Sequence, residues 1–288
     1  MVTVSAPAKI NLTLEVLGER GDGFHEIRSL IQTIDLCDTL RFRTGSRIEI
    51  KADLPEWVAG RSLVTEAVAV LKEATGFSGG AGIDIEKRVP LLSGLGGDSS
   101  DAAAVLKGLN LLWELDLPGE TLLQLAGRLG SDVPFFLSGG TALLQGRGEI
   151  VTPQPSLPPL WVVVAVPPVP RQTGKTKRLY QSLGAGHFTD GQITRELADR
   201  LEKGGEFDPS LLFNTFENVA FDIFPGLEAA RGHFIKLGAA DVHLAGSGPA
   251  LFTLMEDKAA AEEMCSLLGR QRMEPHLAGT LASIEKPL

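Results

Sequence analysis

The passage Pro90 to Ala104 reads P-L-L-S-G-L-G-G-D-S-S-D-A-A-A and gathers glycines, hydroxyls and helix-forming alanines in one place. Gly94, Gly96 and Gly97 allow the backbone to turn tightly and approach a ligand, and Ser99 and Ser100 offer hydroxyls to phosphate oxygens or a metal. That is the chemistry of a phosphate cradle. The glycines alone fit a serine-capped connection with no ligand equally well, and the pattern is neither a Walker loop nor G-x-G-x-x-G. Three further places carry reactive or stacking side chains: Lys9 with Asn11, Phe24 with His25, and Asp132 in L-G-S-D-V-P-F-F-L.

The elements around these residues set what they can reach. Ile83 to Glu86 alternates as a strand, and from Ser100 onward Ala102, Val105, Leu106, Leu109 and Leu112 share one helix side. The glycines therefore fall at a strand-to-helix passage, where unpaired N–H groups and the helix dipole favour an anion. Lys9 to Val16, K-I-N-L-T-L-E-V, alternates strictly. It predicts a strand with Ile10, Leu12, Leu14 and Val16 inward and Lys9, Asn11, Thr13 and Glu15 on a solvated face. Gly18 to Glu26 is rich in turn residues, His25 to Arg43 reads as sheet and turn, and Ser62 to Gly76 as a capped amphipathic helix. Another helical pattern covers Leu117 to Leu129, and on pattern alone Asp132 just beyond it is an N-cap.

Pro153, Pro155, Pro158 and Pro159 make Thr152 to Leu160 a stiff extended linker, the clearest boundary in the chain. Trp161 to Val166 is a continuous apolar run suited to a central strand. A polar segment with Thr176 and Tyr180 follows, then F-N-T-F-E-N at Phe213 to Asn218 and a helix opened by Pro225 and running to about Gly238. His243 to Phe252 reads as two strands around a Gly246-Ser247-Gly248 hairpin turn. An amphipathic helix from Asp257 to Leu268 and a last strand near Leu281 to Ile284 are expected to complete the chain.

With 43% apolar residues among 288, the chain can bury a sizeable core. A net charge of −9 argues against a broad basic face for nucleic acid or anionic lipid. Two cysteines, Cys37 and Cys265, fit a reducing compartment, and no apolar run approaches the roughly 18–20 residues a membrane helix needs. The expectation is a soluble cytoplasmic protein, monomer or weak homodimer, with no nucleic-acid or membrane partner.

Taken in order, these stretches resemble the GHMP kinases. Pro90 to Ser100 is similar to their ATP loop, roughly P-x-G-[AS]-G-L-G-[GS]-[GS]-S, with Leu92 where glycine is common and Asp98 where a small residue is expected. Pro7 to Leu12 resembles the first motif, and Ala245 to Phe252 the third, S-G-S-G-x-[AS]-x-F. R-x-D-G-[YF]-H at Arg20 to His25 and L-G-[AS]-D-V-P at Leu129 to Pro134 resemble the GHMP branch acting on 4-diphosphocytidyl-2-C-methyl-D-erythritol, in the non-mevalonate route to isoprenoids.

The resemblance implies an α+β, two-domain GHMP kinase fold. A ribosomal protein S5 domain 2-like domain would cover residues 1–152, a linker 153–160, and a ferredoxin-like domain 161–288. It implies ATP and Mg²⁺, with the nucleotide on Pro90, Leu91, Leu92, Ser93, Gly94, Leu95, Gly96, Gly97, Asp98, Ser99 and Ser100, and Ser99 as a candidate metal contact. Asp132 would take the proton of the attacking hydroxyl, and Lys9 would supply positive charge beside it. A small molecule with a cytidine diphosphate moiety would be held by Asn11, Phe24, His25, Thr176, Tyr180, Gly246, Ser247 and Gly248. In that arrangement Phe24 and Tyr180 take the two faces of cytosine and His25 its edge. A carboxylate at Asp98 costs electrostatic energy beside a triphosphate unless it points outward or lies beside the metal. Two alternatives stand: a GHMP kinase for another small alcohol such as homoserine or mevalonate, and a non-catalytic nucleotide sensor, for which Asp98 and Leu92 argue.

Overall fold

A computed structural model describes residues 1–170 and 173–284. Its first half is organised by two long antiparallel strands, β1 (Val2–Glu19) and β2 (His25–Gly45). Three more elements follow: β3 (Ile48–Ala52), α1 (Leu63–Thr75) and β4 (Gly80–Glu86). The half is completed by α2 (Gly97–Leu112), α3 (Gly119–Leu129), β5 (Thr141–Gln145) and β6 (Ile150–Gln154). Helix α1 starts and stops as its sequence predicts, since the Ser62 hydroxyl accepts from Val64 N–H and Gly76 turns left-handed at φ 68°. Helices α1, α2 and α3 bury Val68, Leu71, Val105, Leu106 and Leu125 in one cluster with Phe42 and Ile83 of the sheet.

The second half holds β7 (Trp161–Val166), α4 (Lys175–Ser182), α5 (Gln192–Glu202) and β8 (Phe213–Asn214). After these come α6 (Glu217–Ile223), α7 (Leu227–Lys236) and β9 (His243–Leu244). The chain then runs through β10 (Leu251–Met255), α8 (Lys258–Arg270) and β11 (Glu274–Gly279). Its sheet has the order β11-β7-β10-β9 with every neighbour antiparallel. With helices between β7 and β9 and α8 between β10 and β11, that is the split β-α-β plan of a ferredoxin-like fold. Val163 and Ala165 of β7 face these helices, while Val162, Val164 and Val166 pack with Ile10 and Leu12 of β1.

Several sequence expectations give way here. The face of β1 expected in water is buried, with Lys9 and Asn11 each 5% exposed and Thr13 and Glu15 fully covered. Nor is it one face. A register shift between Asn11 and Thr13 leaves Leu12 as the extra residue against β2, and such a bulge re-aims the side chains beyond it. Thr13 and Glu15 turn to α5, where the Thr194 hydroxyl donates to Thr13 Oγ1 at 2.8 Å and the Thr194 N–H to Glu15 Oε2 at 2.7 Å.

The expected linker begins inside the first sheet, since Thr152, Pro153 and Gln154 pair with Leu143, Ala142 and Thr141. β6 has only β5 as a neighbour, an edge position where proline's missing N–H costs nothing. The last strand lies at Glu274–Gly279 rather than 281–284, and Leu281 N–H instead donates to the Thr33 carbonyl at 2.9 Å. The two halves also exchange structure, because β8 pairs parallel with β1 at Thr13 and Leu14.

Candidate active site

Three separated stretches of sequence meet around one ammonium group. Lys9 Nζ donates to Asn11 Oδ1 at 2.6 Å, and Asn11 Nδ2 to Ser29 Oγ at 2.9 Å. The Lys9 N–H donates to the Leu95 carbonyl at 2.9 Å, tying β1 to the glycine stretch. Gly94, at φ 93°, lies so close to the β9–β10 turn that a Cβ there would come within 2.0 Å of the Ala245 oxygen. A Cβ on Gly246, at φ 54°, would come within 2.9 Å of both the Gly94 oxygen and Lys9 Nζ. Glycine is required at both positions by contact as much as by conformation.

The glycine stretch lines a cavity of about 360 Å³ with Pro90, Leu91, Leu92, Ser93, Gly94, Gly96, Gly97, Asp98 and Ser99. Helix α2 starts earlier than its apolar pattern suggests, at Gly97 behind a left-handed Gly96. The N–H groups of Gly97, Asp98 and Ser99 thus sit in its open first turn. Leu95 and Ser100 are exceptions to the predicted set, for both side chains are buried and line neither cavity described here. Leu92, at φ 53°, is 45% exposed. Asp98, on the cavity wall, accepts from the hydroxyl of Ser62, which also lines the cavity, and, at 3.1 Å, from Leu63 N–H at the start of α1. Beneath the loop the Lys87 ammonium is held by Asp38 and, at 2.7 Å, by Asp101.

A second cavity, of about 730 Å³, is lined by Lys9, Asn11, Phe24, His25, Asp132, Thr176, Tyr180, Gly246 and Ser247, and by Leu14, which the bulge has brought to this side. Gly94, Gly96 and Thr176 line both cavities, so the two meet beside Lys9. Gly248 lines neither cavity; its carbonyl accepts from the Lys175 ammonium. The 3-10 turn after Asp132 is capped by Pro134 without a side-chain bond, which excludes the N-cap reading of Asp132. Burial holds the Lys9 ammonium below its usual range, and the nearby Asp132 carboxylate opposes that shift. The Tyr180 hydroxyl is pushed up to about 12, by burial first and by the charge of Asp132 second, so it stays neutral.

The aromatic wall differs from the expected pair of facing rings. Tyr180 is stacked on His25, with centroids 4.6 Å apart and planes at 22°. Phe24 is half-exposed, and the Arg147 guanidinium lies 4.8 Å over its ring. His25 Nε2 is buried and has no hydrogen-bond partner among the described residues.

Four functional side chains escape a reading of the sequence alone. Ser29 orients Asn11, and Arg147 lines the larger cavity beside Phe24. Asn214 donates to the Leu244 and Gly246 carbonyls at 2.9 and 2.8 Å, fixing the turn below Lys9. Lys175 donates to Ser247 Oγ at 2.9 Å, and the Thr176 and Ser247 hydroxyls are 2.9 Å apart. Of these, only Asn214 sits in a stretch with a recognisable pattern; Gly174-Lys175 after Thr173 is the sole local signal for Lys175.

Among the described residues no group of three or more His, Cys, Asp or Glu side chains could cage a metal. Two cavities joined beside a buried ammonium and a carboxylate, one of them under a helix N-terminus, can hold an anionic donor against a hydroxyl acceptor.

Comparison with known proteins bears on the family and the fold. Residues 62–140 match the family model for the GHMP kinases N terminal domain, and residues 194–273 that for the GHMP kinases C terminal. A 4-diphosphocytidyl-2-C-methyl-D-erythritol kinase of Dehalococcoides mccartyi is 47% identical over 285 residues, covering 99% of this chain and 100% of that one. A crystal structure of a 4-(cytidine 5'-diphospho)-2C-methyl-D-erythritol kinase superposes with TM-score 0.82 at 34% identity, over 96% of this chain and 98% of that one. A homoserine kinase from Cytophaga hutchinsonii, with TM-score 0.73 at 20% identity over 100% and 96% of the two chains, shares the fold alone.

Proposed function

Because the chain belongs to the 4-diphosphocytidyl-2-C-methyl-D-erythritol kinase family of the GHMP kinases, we propose that it transfers the γ-phosphoryl group of ATP to the 2-hydroxyl of 4-diphosphocytidyl-2-C-methyl-D-erythritol, in the non-mevalonate route to isoprenoids. The observation that carries this reading is the meeting of the two cavities at Gly94 and Gly96, beside Lys9 and within reach of Asp132.

ATP lies in the smaller cavity, with its phosphates over the N–H groups of Gly97, Asp98 and Ser99, and the helix dipole favours their charge. The Ser99 hydroxyl, with the triphosphate, would hold Mg²⁺, which when bound would neutralise phosphate charge. The acceptor fills the larger cavity. Its cytosine stacks on Phe24 and meets the Tyr180–His25 pair on its other side, where the unpartnered His25 Nε2 bonds the base edge. Asp132 takes the proton of the attacking hydroxyl, and Lys9, held by Asn11, offsets the charge on the group in transit. One chain supplies every one of these groups, so a monomer and a weak homodimer would each carry complete sites. The two cysteines form no disulfide, in keeping with a cytoplasmic enzyme, and since β6 takes in Pro153 and Gln154 we place the working boundary between domains after it, at 155–160.

The sensor alternative was argued from Asp98 and Leu92; Asp98 accepts from Ser62 and Leu63 N–H, and turnover separates a kinase from a sensor. A coupled ADP-release assay with Mg·ATP tests the proposal, with homoserine and mevalonate run in parallel. Turnover is expected on the cytidine substrate only. Turnover on either competitor, or none on any of the three, removes it.

A further inference from the structure

At the seam of the two cavities lies a buried lysine whose hydrogen-bond partners, among the described residues, are all neutral oxygens. Lys175 is the first residue of α4 and is 8% exposed. Its ammonium donates to Ser247 Oγ at 2.9 Å, to the Ser247 carbonyl at 3.3 Å and to the Gly248 carbonyl. It lines the smaller cavity with Ser93, Gly94 and Ser99. Burial first and the charge of Lys9 second pull it down to about 7.

Two ammonium groups aimed at one seam repel each other, which raises the energy of the site until an anion lies between them. The other charged groups around the smaller cavity are engaged apart from Lys175 or offset one another: Asp38 and Asp101 hold Lys87, Asp98 accepts from Ser62 and Leu63, and Glu56 and Arg61 offer one charge of each sign. From the larger cavity, Asp132 acts on Lys9 and on Tyr180.

We propose that Lys175 is a second phosphate-facing cation, which turns from Ser247 to the terminal phosphates of the nucleotide and holds them opposite Lys9. This inference rests on the nucleotide reading above. It gives Lys175 more to do than staple Ser247, which a neutral donor would do as well. A lysine titrating near 7 is about nine-tenths neutral at pH 8, and facing a polyphosphate makes it a full cation. The proton comes from solvent. Binding is therefore coupled to proton uptake.

Titration calorimetry of the whole chain with the magnesium complex of adenylyl imidodiphosphate, at pH 8 in HEPES and in Tris, measures that uptake from the difference in apparent enthalpy. The native chain is expected to take up about 0.5–1 proton per site. Lys175→Arg, always charged, should bind the analogue but lose the uptake. Lys175→Met should lose the uptake and bind about tenfold more weakly or worse. Lys9 is present in all three, so the difference isolates Lys175. Binding by the native chain without uptake, or equal uptake in either variant, overturns the proposal. If the methionine variant does not fold, the arginine variant still decides. Failure of the native chain to bind the analogue at all removes the nucleotide reading itself.

Discussion

Gly246→Ala tests whether the three stretches meet as described. The added methyl group would lie 2.9 Å from Lys9 Nζ, 2.9 Å from the Gly94 oxygen and 3.3 Å from Asn11 Oδ1, all shorter than an ordinary contact, which begins at 3.4 Å. The Gly94 oxygen belongs to a backbone pinned against Ala245, so the Lys9 ammonium must give way by roughly half an ångström or more. A misplacement of about 1 Å costs on the order of 10²-fold in rate. We expect kcat to fall about 10- to 100-fold, with both KM values within about threefold. Left-handed backbone for alanine adds about 1–2 kcal/mol of destabilisation. Gly76→Ala is the control: its φ is 68° and a Cβ there meets nothing within 4 Å. It should lower the melting temperature comparably and leave kcat untouched. The assay is steady-state ADP release on the two variants beside thermal melts. If Gly246→Ala melts like Gly76→Ala but keeps kcat within about threefold of native, Lys9 is not where the chemistry needs it.

Asp132→Asn should lower kcat by about 10²–10⁴-fold with an unchanged melting temperature, and near-native turnover would take Asp132 out of the reaction. Phe24→Ala should raise KM for the cytidine substrate by about 5- to 150-fold, from the 1–3 kcal/mol of base stacking, and leave KM for ATP alone. Asp98→Ala removes a carboxylate from the first turn of α1 and should cost about 1 kcal/mol in urea unfolding without raising KM for ATP; a large rise would place Asp98 at the phosphates after all. Lys107, on α2 and bonded to the Phe136 carbonyl at 3.1 Å, is pulled down to about 8 by burial. The folded chain holds that proton less tightly than the unfolded chain, so this group's cost to stability is full below about pH 8 and fades toward 10.5. Lys107→Met should therefore gain stability relative to native at pH 7, and that gain should shrink by pH 10.

The glycine stretch was legible as a strand-to-helix passage because its conformation is local. Glycine conformation and helix-terminus N–H groups belong to consecutive residues, and Gly94 and Gly96 take the positive φ that their type allows just before α2. The direction of Asp98 was not, since it depends on Ser62 and Leu63 in another helix. The alternation of Lys9 to Val16 misled for the same reason: the bulge at Leu12 arises from pairing with β2, so Leu14, not Thr13, shares the cavity with Asn11. The last strand was misplaced because Glu274 and Pro275 look poor for a sheet. There, pairing with β7 outweighs propensity. Lys175 and Arg147 carried almost no signal, because an isolated cation acquires meaning only from what the fold sets beside it.

The parallel pairing of Phe213–Asn214 with Thr13 and Leu14 fixes the timetable of synthesis. While the first half is emerging from the ribosome, one side of β1 has no partner. The strand that closes it is translated about 200 residues later, and Leu281, which bonds Thr33, later still. An open edge beside buried apolar residues is an invitation to pair with another chain. This protein's vulnerable interval is therefore its own translation, and fragments ending near residue 150 should aggregate where the whole chain does not.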